Sequence, residues 1–223
     1  MADTPASRHV KRTLASKEAA RTAGSNLMEG TTIYQQMQVR LASDRARLKQ
    51  IQSTQGKAQL KAALLPSYAP YLEGVLSADA GGKDDIVSTL MLWHFDAGLF
   101  DAGLDIARYV LAHGLDMPDT HKRTAACVVA EEIGLAALNA LKTSTPFDLN
   151  VIDRAATLTD GQDMPDEVRA RLLLARGRSL LATDTEAAPL SADAVAQAIE
   201  DLRTAIQLHD SCGGKEDLKR AER

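Results

Sequence analysis

The residues of this 223-residue chain with the clearest capacity for chemistry lie in one stretch, LMLWHFDAGLFDAGLDIARYVLAHGLDMP, residues 90–118. It carries the only tryptophan, Trp93, beside His94, with Asp96, Asp101 and Asp105 close behind. An imidazole and several carboxylates are donors that can hold a divalent metal and activate a water. The spacing favours a plainer use. Ile86, Leu90, Trp93 and Ala97 fall at i, i+4, i+7 and i+11, one face of a helix that Gly98 closes. Trp93 is then a packing residue and His94 stands at the edge of its face. Asp96 and Asp101 flank the Gly98 turn, where carboxylates commonly accept from free N–H groups at a helix start. Asp105, four residues after Asp101, shares its face. The stretch reads as two packed helices with polar residues at their junction.

Other constellations are weaker. Glu131-Glu132 and Asp84-Asp85 are adjacent, so each pair diverges by about 100° on a helix. His121 lies too far along its own helix to join Glu131 or Glu132. The two GGK triplets, 81–83 and 213–215, lack the earlier glycine and the following Ser or Thr of a phosphate loop. Neither Gly-x-Ser-x-Gly nor His-Glu-x-x-His occurs. Cys127 and Cys212 stand far apart, outside any Cys-x-x-Cys spacing, and Cys127 has an apolar helical context. The arginines of VRARLLLARGR form two rows, Arg169 with Arg176 and Arg171 with Arg178, and read as solvated flanks. No catalytic residue, metal ligand or cofactor is assigned.

Charge carries the stronger signal. Residues 1–62 hold 11 Lys/Arg against 4 Asp/Glu, whereas the whole chain has a net charge of −4. A basic front joined to an acidic body points to a polyanion at the front. The candidate DNA-binding residues are Arg8, His9, Lys11, Arg12, Lys17 and Arg21, expected in a flexible arm over residues 1–30 that orders on phosphate contact. Within it, SKEAARTAG is similar to the first helix and turn of a helix-turn-helix, but no apolar stripe for a recognition helix follows.

The elements around these residues are helical. Aromatics are 4% of the chain, and no period-two alternation or Asn-Gly turn is found. Residues 31–65 predict a long helix, with Tyr34, Leu41 and Leu48 every seventh residue and Met37 and Ile51 beside them. Asp44 interrupts that seam, which suits a weak coiled coil or packing on the body. Its cations Arg40, Arg45, Arg47, Lys49, Lys57 and Lys61 are solvent cover or a DNA-facing side. Residues 66–210 read as a body of stacked helical hairpins, tetratricopeptide-like. Leu104, Ala107 and Leu111 line one helix, which Gly114 stops. Cys127, Ala130, Gly134, Leu138 and Leu141 line a second helix, led by Pro118, with small residues that permit a close crossing. Pro165 leads a third, burying Val168, Leu172 and Ala175. The last stripe is Val195, Ala198, Ile199, Leu202, Ala205 and Ile206. Met117 and Met164 repeat at 47 residues, within the range of two-helix repeats. Residues 211–223 are a charged helical segment expected to fray. No stretch approaches the roughly 18 apolar residues of a membrane span, and the N-terminus lacks the apolar run of a secretory signal.

The stretches SRHVKR, YAPYLEGVL, DDIVSTLMLWHFDAGLFDAGLDIARYVLAHGLDMPDTHKRT, EEI and DMPDEVRARL resemble the terminase small subunit of Peduovirus-type tailed bacteriophages, over about residues 7–210. The resemblance implies a part in viral DNA packaging in the cytoplasm of the bacterial host. It further implies double-stranded phage DNA at the cohesive-end site, the terminase large subunit and sister copies in a homo-oligomeric ring as partners. That family is labelled the endonuclease subunit, although no self-contained nuclease motif is visible here. The expected function is a DNA-recognition protein and adaptor for the large ATPase/nuclease subunit. Two alternatives stand beside it: a metal-dependent endonuclease using His94 and nearby carboxylates, and a helical-repeat interaction module with no DNA role.

Overall fold

The computed structural model describes residues 4–22, 32–118, 122–183 and 188–223, and every regular element among them is helical. The chain divides into two compact units, Met1–Ala125 and Ala126–Arg223. No helix among the described residues is long and apolar enough to cross a membrane.

The first unit is built around α5, Asp85–Asp96, whose residues from Ile86 to Phe95 are all buried. The expected single apolar face is therefore a helix covered on every side, as a core helix must be. The Asp84 carboxylate caps its start, accepting from the Ile86 and Val87 amides at 2.9 and 3.2 Å. Gly98, at φ +74°, turns the chain into α6, Phe100–Ala112. Leu104 and Ala107 of that helix are buried, and Gly114, at φ +60°, follows its end.

The long helix expected over 31–65 is two helices, α2 (Thr32–Lys49) and α3 (Thr54–Leu64). Ser53 breaks the run by accepting from the Gly56 amide at 3.2 Å, an N-cap with extended backbone. The seven-residue seam is real, but Tyr34, Met37, Leu41 and Leu48 are all buried inside this unit. It is thus used for intrachain packing, and the coiled-coil alternative gives way to packing on the body. A 3₁₀ turn, Leu65–Ser67, leads into α4, Ala69–Ala78.

The segment expected as a flexible arm is, over Pro5–Thr22, a helix, α1, packed along α4; the rest of it, 1–3 and 23–30, lies outside the described residues. Ala15 and Ala19 are buried in the crossing. Gly74 permits it: a Cβ there would lie 2.5 Å from the Arg12 carbonyl oxygen and 2.6 Å from the Ala15 Cβ. Low apolar content suggested disorder, yet two alanines against a glycine suffice for a close helix pair.

In the second unit, α7 runs Ala125–Lys142, α8 Leu149–Leu158, α9 Asp166–Ala182, α10 Ala192–Leu208 and α11 Lys215–Ala221. Pro165 leads α9 directly, and Val168, Leu172 and Ala175 are buried as expected. Pro118 does not lead α7, which opens seven residues later. Buried Leu115 and Met117, and a 2.8 Å bond from the Ser88 hydroxyl to the Asp116 carbonyl, pin that segment as irregular chain. The two Met-Pro-Asp openings are therefore not structural equivalents. His121 lies outside the described residues.

Glycines set the close approaches here too. A Cβ on Gly134 of α7 would stand 3.2 Å from the Leu172 backbone of α9, and one on Gly177 would stand 3.1 Å from the Ala198 carbonyl of α10. Ala170, Leu174, Leu202 and Ala205 form a buried cluster, with Leu138 and Leu218 against it. The charged end expected to fray is the helix α11, held by Arg178 to Asp217 at 2.8 Å and Arg203 to Glu222 at 2.7 Å.

Candidate nucleic-acid interface

The opening constellation does not assemble. His94 Nδ1 bonds the Leu90 carbonyl of its own helix at 2.7 Å, which makes Nδ1 the protonated nitrogen. Burial holds the imidazole below its ordinary range, with the Leu90 carbonyl opposing the shift. Trp93 packs edge-on against Tyr68, ring centroids 6.0 Å apart. Asp96 takes Lys61 Nζ at 2.5 Å, tying α3 to α5. Asp101 lies in the first turn of α6, where a carboxylate suits the helix dipole. Among the described residues no three His, Cys, Asp or Glu side chains gather to hold a metal ion.

Two carboxylates of structural weight were not read as such from the sequence. Asp44, the apparent flaw in the α2 seam, is buried and accepts from Tyr68 Oη at 2.8 Å and from Arg47 at 3.0 Å. Arg40 lies over the Tyr68 ring at 5.3 Å with its Nε 3.8 Å from Asp44. Burial, then the Asp44 carboxylate, pushes the Tyr68 phenol well up. Asp84 is buried at the start of α5 and takes Tyr71 Oη at 2.5 Å beside its two amides. Desolvation pushes its carboxyl up to about 6, against the hydrogen bonds that lower it. The available signal was an acid inside an apolar seam with a tyrosine-rich segment, YAPY, following.

Several cations outside α1 are struts. Arg45 donates to Thr89 Oγ1 at 2.8 Å, and Arg47 and Lys61 are paired as described. The arginines of α9 read as solvated flanks are struts as well. Arg176 grips the buried Asp201 of α10 through both nitrogens, Nε at 2.6 Å, and Arg169 donates to the Thr159 and Gln162 carbonyls at 2.8 and 2.9 Å. Arg171 pairs with Glu131 at 3.5 Å. An arginine flanking an apolar stripe reaches the neighbouring helix with its long stem.

The α1 cations differ. Arg8, His9, Arg12, Lys17 and Arg21 are exposed and Lys11 is half-buried. Arg8 and Arg12 lie on the row of the docked alanines, at i, i+4, i+7 and i+11 with Ala15 and Ala19, but near the N-terminal end of the helix. With His9 and Glu73 they line a cleft of about 410 Å³. Arg12 stands 3.7 Å from the half-exposed Glu73 and donates to His9 Nδ1 at 3.3 Å. Lys17 and Arg21 lie on the opposite, outward row. The helix therefore presents its cations on two sides, and Glu18 is its one acidic residue.

Comparison with known proteins bears on the family. The model of the phage small terminase subunit family matches residues 38–167. The chain is 40% identical over 220 residues to the protein named terminase, endonuclease subunit, of Escherichia phage P2, covering 99% of this chain and 85% of that one. No solved structure matches. A relative so similar over almost the whole chain, with a family model spanning most of the helical body, places the chain in the family of phage small terminase subunits.

Proposed function

We propose that the chain recognises the cohesive-end site of its phage genome through the α1 cations and joins that DNA to the terminase large subunit in the host cytoplasm, acting as a homo-oligomeric ring. The observation that carries this reading is the exposed set Arg8, His9, Arg12, Lys17 and Arg21 gathered on one helix with a single acidic residue. The second unit, with 17 Asp/Glu against 11 Lys/Arg over residues 126–223, is the natural protein-docking part, since its charge disfavours DNA. Its α9–α10 pair, closed by Gly177 and the Arg176–Asp201 clasp, supports reading this unit as tetratricopeptide-like hairpins.

Ionic binding of this kind weakens with salt, by a log–log slope of about −0.9 per phosphate contacted. Five Lys/Arg contacts would lower affinity roughly 500-fold between 50 and 200 mM salt. Replacing Arg8, Lys11, Arg12, Lys17 and Arg21 together with glutamine leaves the α4 face covered, which deleting α1 would not. That variant is expected to lose binding to a cohesive-end duplex in a mobility assay; undiminished affinity overturns the assignment. A second reading, a metal-dependent endonuclease with its own active site, is favoured by the name of the phage P2 relative. Cutting of the duplex by the purified chain with Mg²⁺ and no large subunit would establish it.

A further inference from the structure

We infer that α1 does more than hold phosphates: its outward row, Val10, Leu14, Lys17 and Arg21, enters the DNA major groove and reads base edges. The inference rests on the DNA-binding reading above and narrows it to specific side chains.

Val10 and Leu14 are 52% and 44% exposed, and among the described residues only Val39, Leu99 and Leu135 are other large apolar side chains so exposed, each on a different element from α1. Together with Lys17 and Arg21 they stand at i, i+4, i+7 and i+11, a single line along the side of the helix away from α4. Two apolar groups followed by two cations form an unusual outer face. Solvation alone explains the cations but not the apolar pair. The major groove explains both, because it offers thymine methyls to apolar side chains and the O6 and N7 acceptors of guanine to Arg or Lys. It is about 12 Å wide, the diameter of a helix with its side chains.

The mounting of α1 suits the same purpose. Base reading needs an element held in a fixed orientation, whereas phosphate gripping tolerates a loose one. The absence of a side chain at Gly74 lets α1 sit directly on the α4 backbone, with Ala15 and Ala19 buried beneath it. The Arg8, His9 and Arg12 cleft lies toward the N-terminal end of α1, off the reading line, where a backbone phosphate would fix the register by taking Arg12 from the half-exposed Glu73 that also lines it. The two sides of α1 thus divide the work, one positioning and one specifying. From Val10 to Arg21 the row spans about 16 Å, which matches roughly five base pairs at 3.4 Å each.

The test is selection from a random duplex library with the full chain, followed by variants. The wild type is expected to enrich a motif with a core of about five base pairs. Leu14→Ser and Val10→Ser should relax it at thymine positions, and Arg21→Gln at a guanine, each losing about 5- to 100-fold in discrimination. The salt dependence of Leu14→Ser should stay that of the wild type. Arg8→Gln and Arg12→Gln should keep the motif while flattening the salt slope by about 0.9 per lost contact. An unchanged motif in Leu14→Ser and Arg21→Gln, with DNA still bound, overturns this inference and leaves the DNA-binding reading standing. Loss of self-association rather than of sequence preference in those variants also overturns it, by assigning the row to a second copy. No duplex binding by the wild type overturns both.

Discussion

Replacing Gly74 with alanine tests the mounting of α1 directly. The added Cβ would lie 2.5 Å from the Arg12 carbonyl oxygen, 2.6 Å from the Ala15 Cβ and 2.9 Å from the Ser16 nitrogen. Optimal carbon contacts lie near ~3.5–4 Å, so α1 must back away by roughly 1 Å along its crossing with α4. Overpacking of this kind costs about 1–3 kcal/mol. Holding α1 in the crossing are the burial of Ala15 and Ala19, at about 0.8 kcal/mol for each methyl-sized group, and polar ties such as the Ile33 amide to Glu18 at 3.3 Å. The two terms are of similar size, so the strain is relieved by releasing α1 while α5 and its surroundings stay folded. Amide hydrogen exchange followed by mass spectrometry reads this segment by segment. Exchange across Pro5–Thr22 should quicken about tenfold or more, since each 1.4 kcal/mol is a factor of ten, with α5 and α6 unaffected. Unchanged exchange in α1 would refute the tight crossing. Equal acceleration in α1 and α5 would refute its separability.

Asp84 should make stability depend on pH. Its folded carboxyl is pushed up to about 6 by burial, above the ~3.9 of an unfolded aspartate. The folded state thus binds this proton more tightly, and the resulting stabilisation is complete below about pH 4 and lost as pH rises through about 6. Asp84→Asn keeps an acceptor for the Ile86 and Val87 amides, so the unfolding free energy of the variant, read by urea titration, should fall less over that window, by on the order of 3 kcal/mol at neutral pH. Asp44→Ala strands the Tyr68 hydroxyl and should cost about 1–3 kcal/mol in thermal unfolding, while Asp44→Asn, which retains an acceptor, should cost less. Arg176→Met leaves Asp201 buried with only Gln197 Nε2 at 3.0 Å, a loss of about 3–5 kcal/mol. Adding Asp201→Leu should recover most of it, and a double variant no more stable than the single one would argue against the clasp.

How much of this was legible varies residue by residue. Pro165 and the stripe of Val168, Leu172 and Ala175 foretold α9 because a helix start and its apolar spacing are local properties. Gly98 and Gly114 ended α5 and α6 for the same reason, since a positive φ acts on its own turn. Pro118 misled because Leu115 and Met117 are anchored in the core, a contact that spacing cannot report. The seven-residue seam of α2 was read correctly as apolar, but its partner lay within the first unit. Asp44 looked like an interruption until the Tyr68 hydroxyl stood against it.

From the sequence alone came the all-helical class, the helix stops at Gly98 and Gly114, the basic front with its five Lys/Arg and His9, and the likeness to phage small terminase subunits. These follow from short-range rules of spacing, backbone freedom and charge, which act over a few residues of chain. Tertiary packing alone decided that α1 is docked on Gly74, that its cations divide between two sides, and that Lys61, Arg45 and Arg176 are struts. Each of those outcomes depends on a partner distant in sequence, and a side chain's role is set by what the fold brings against it.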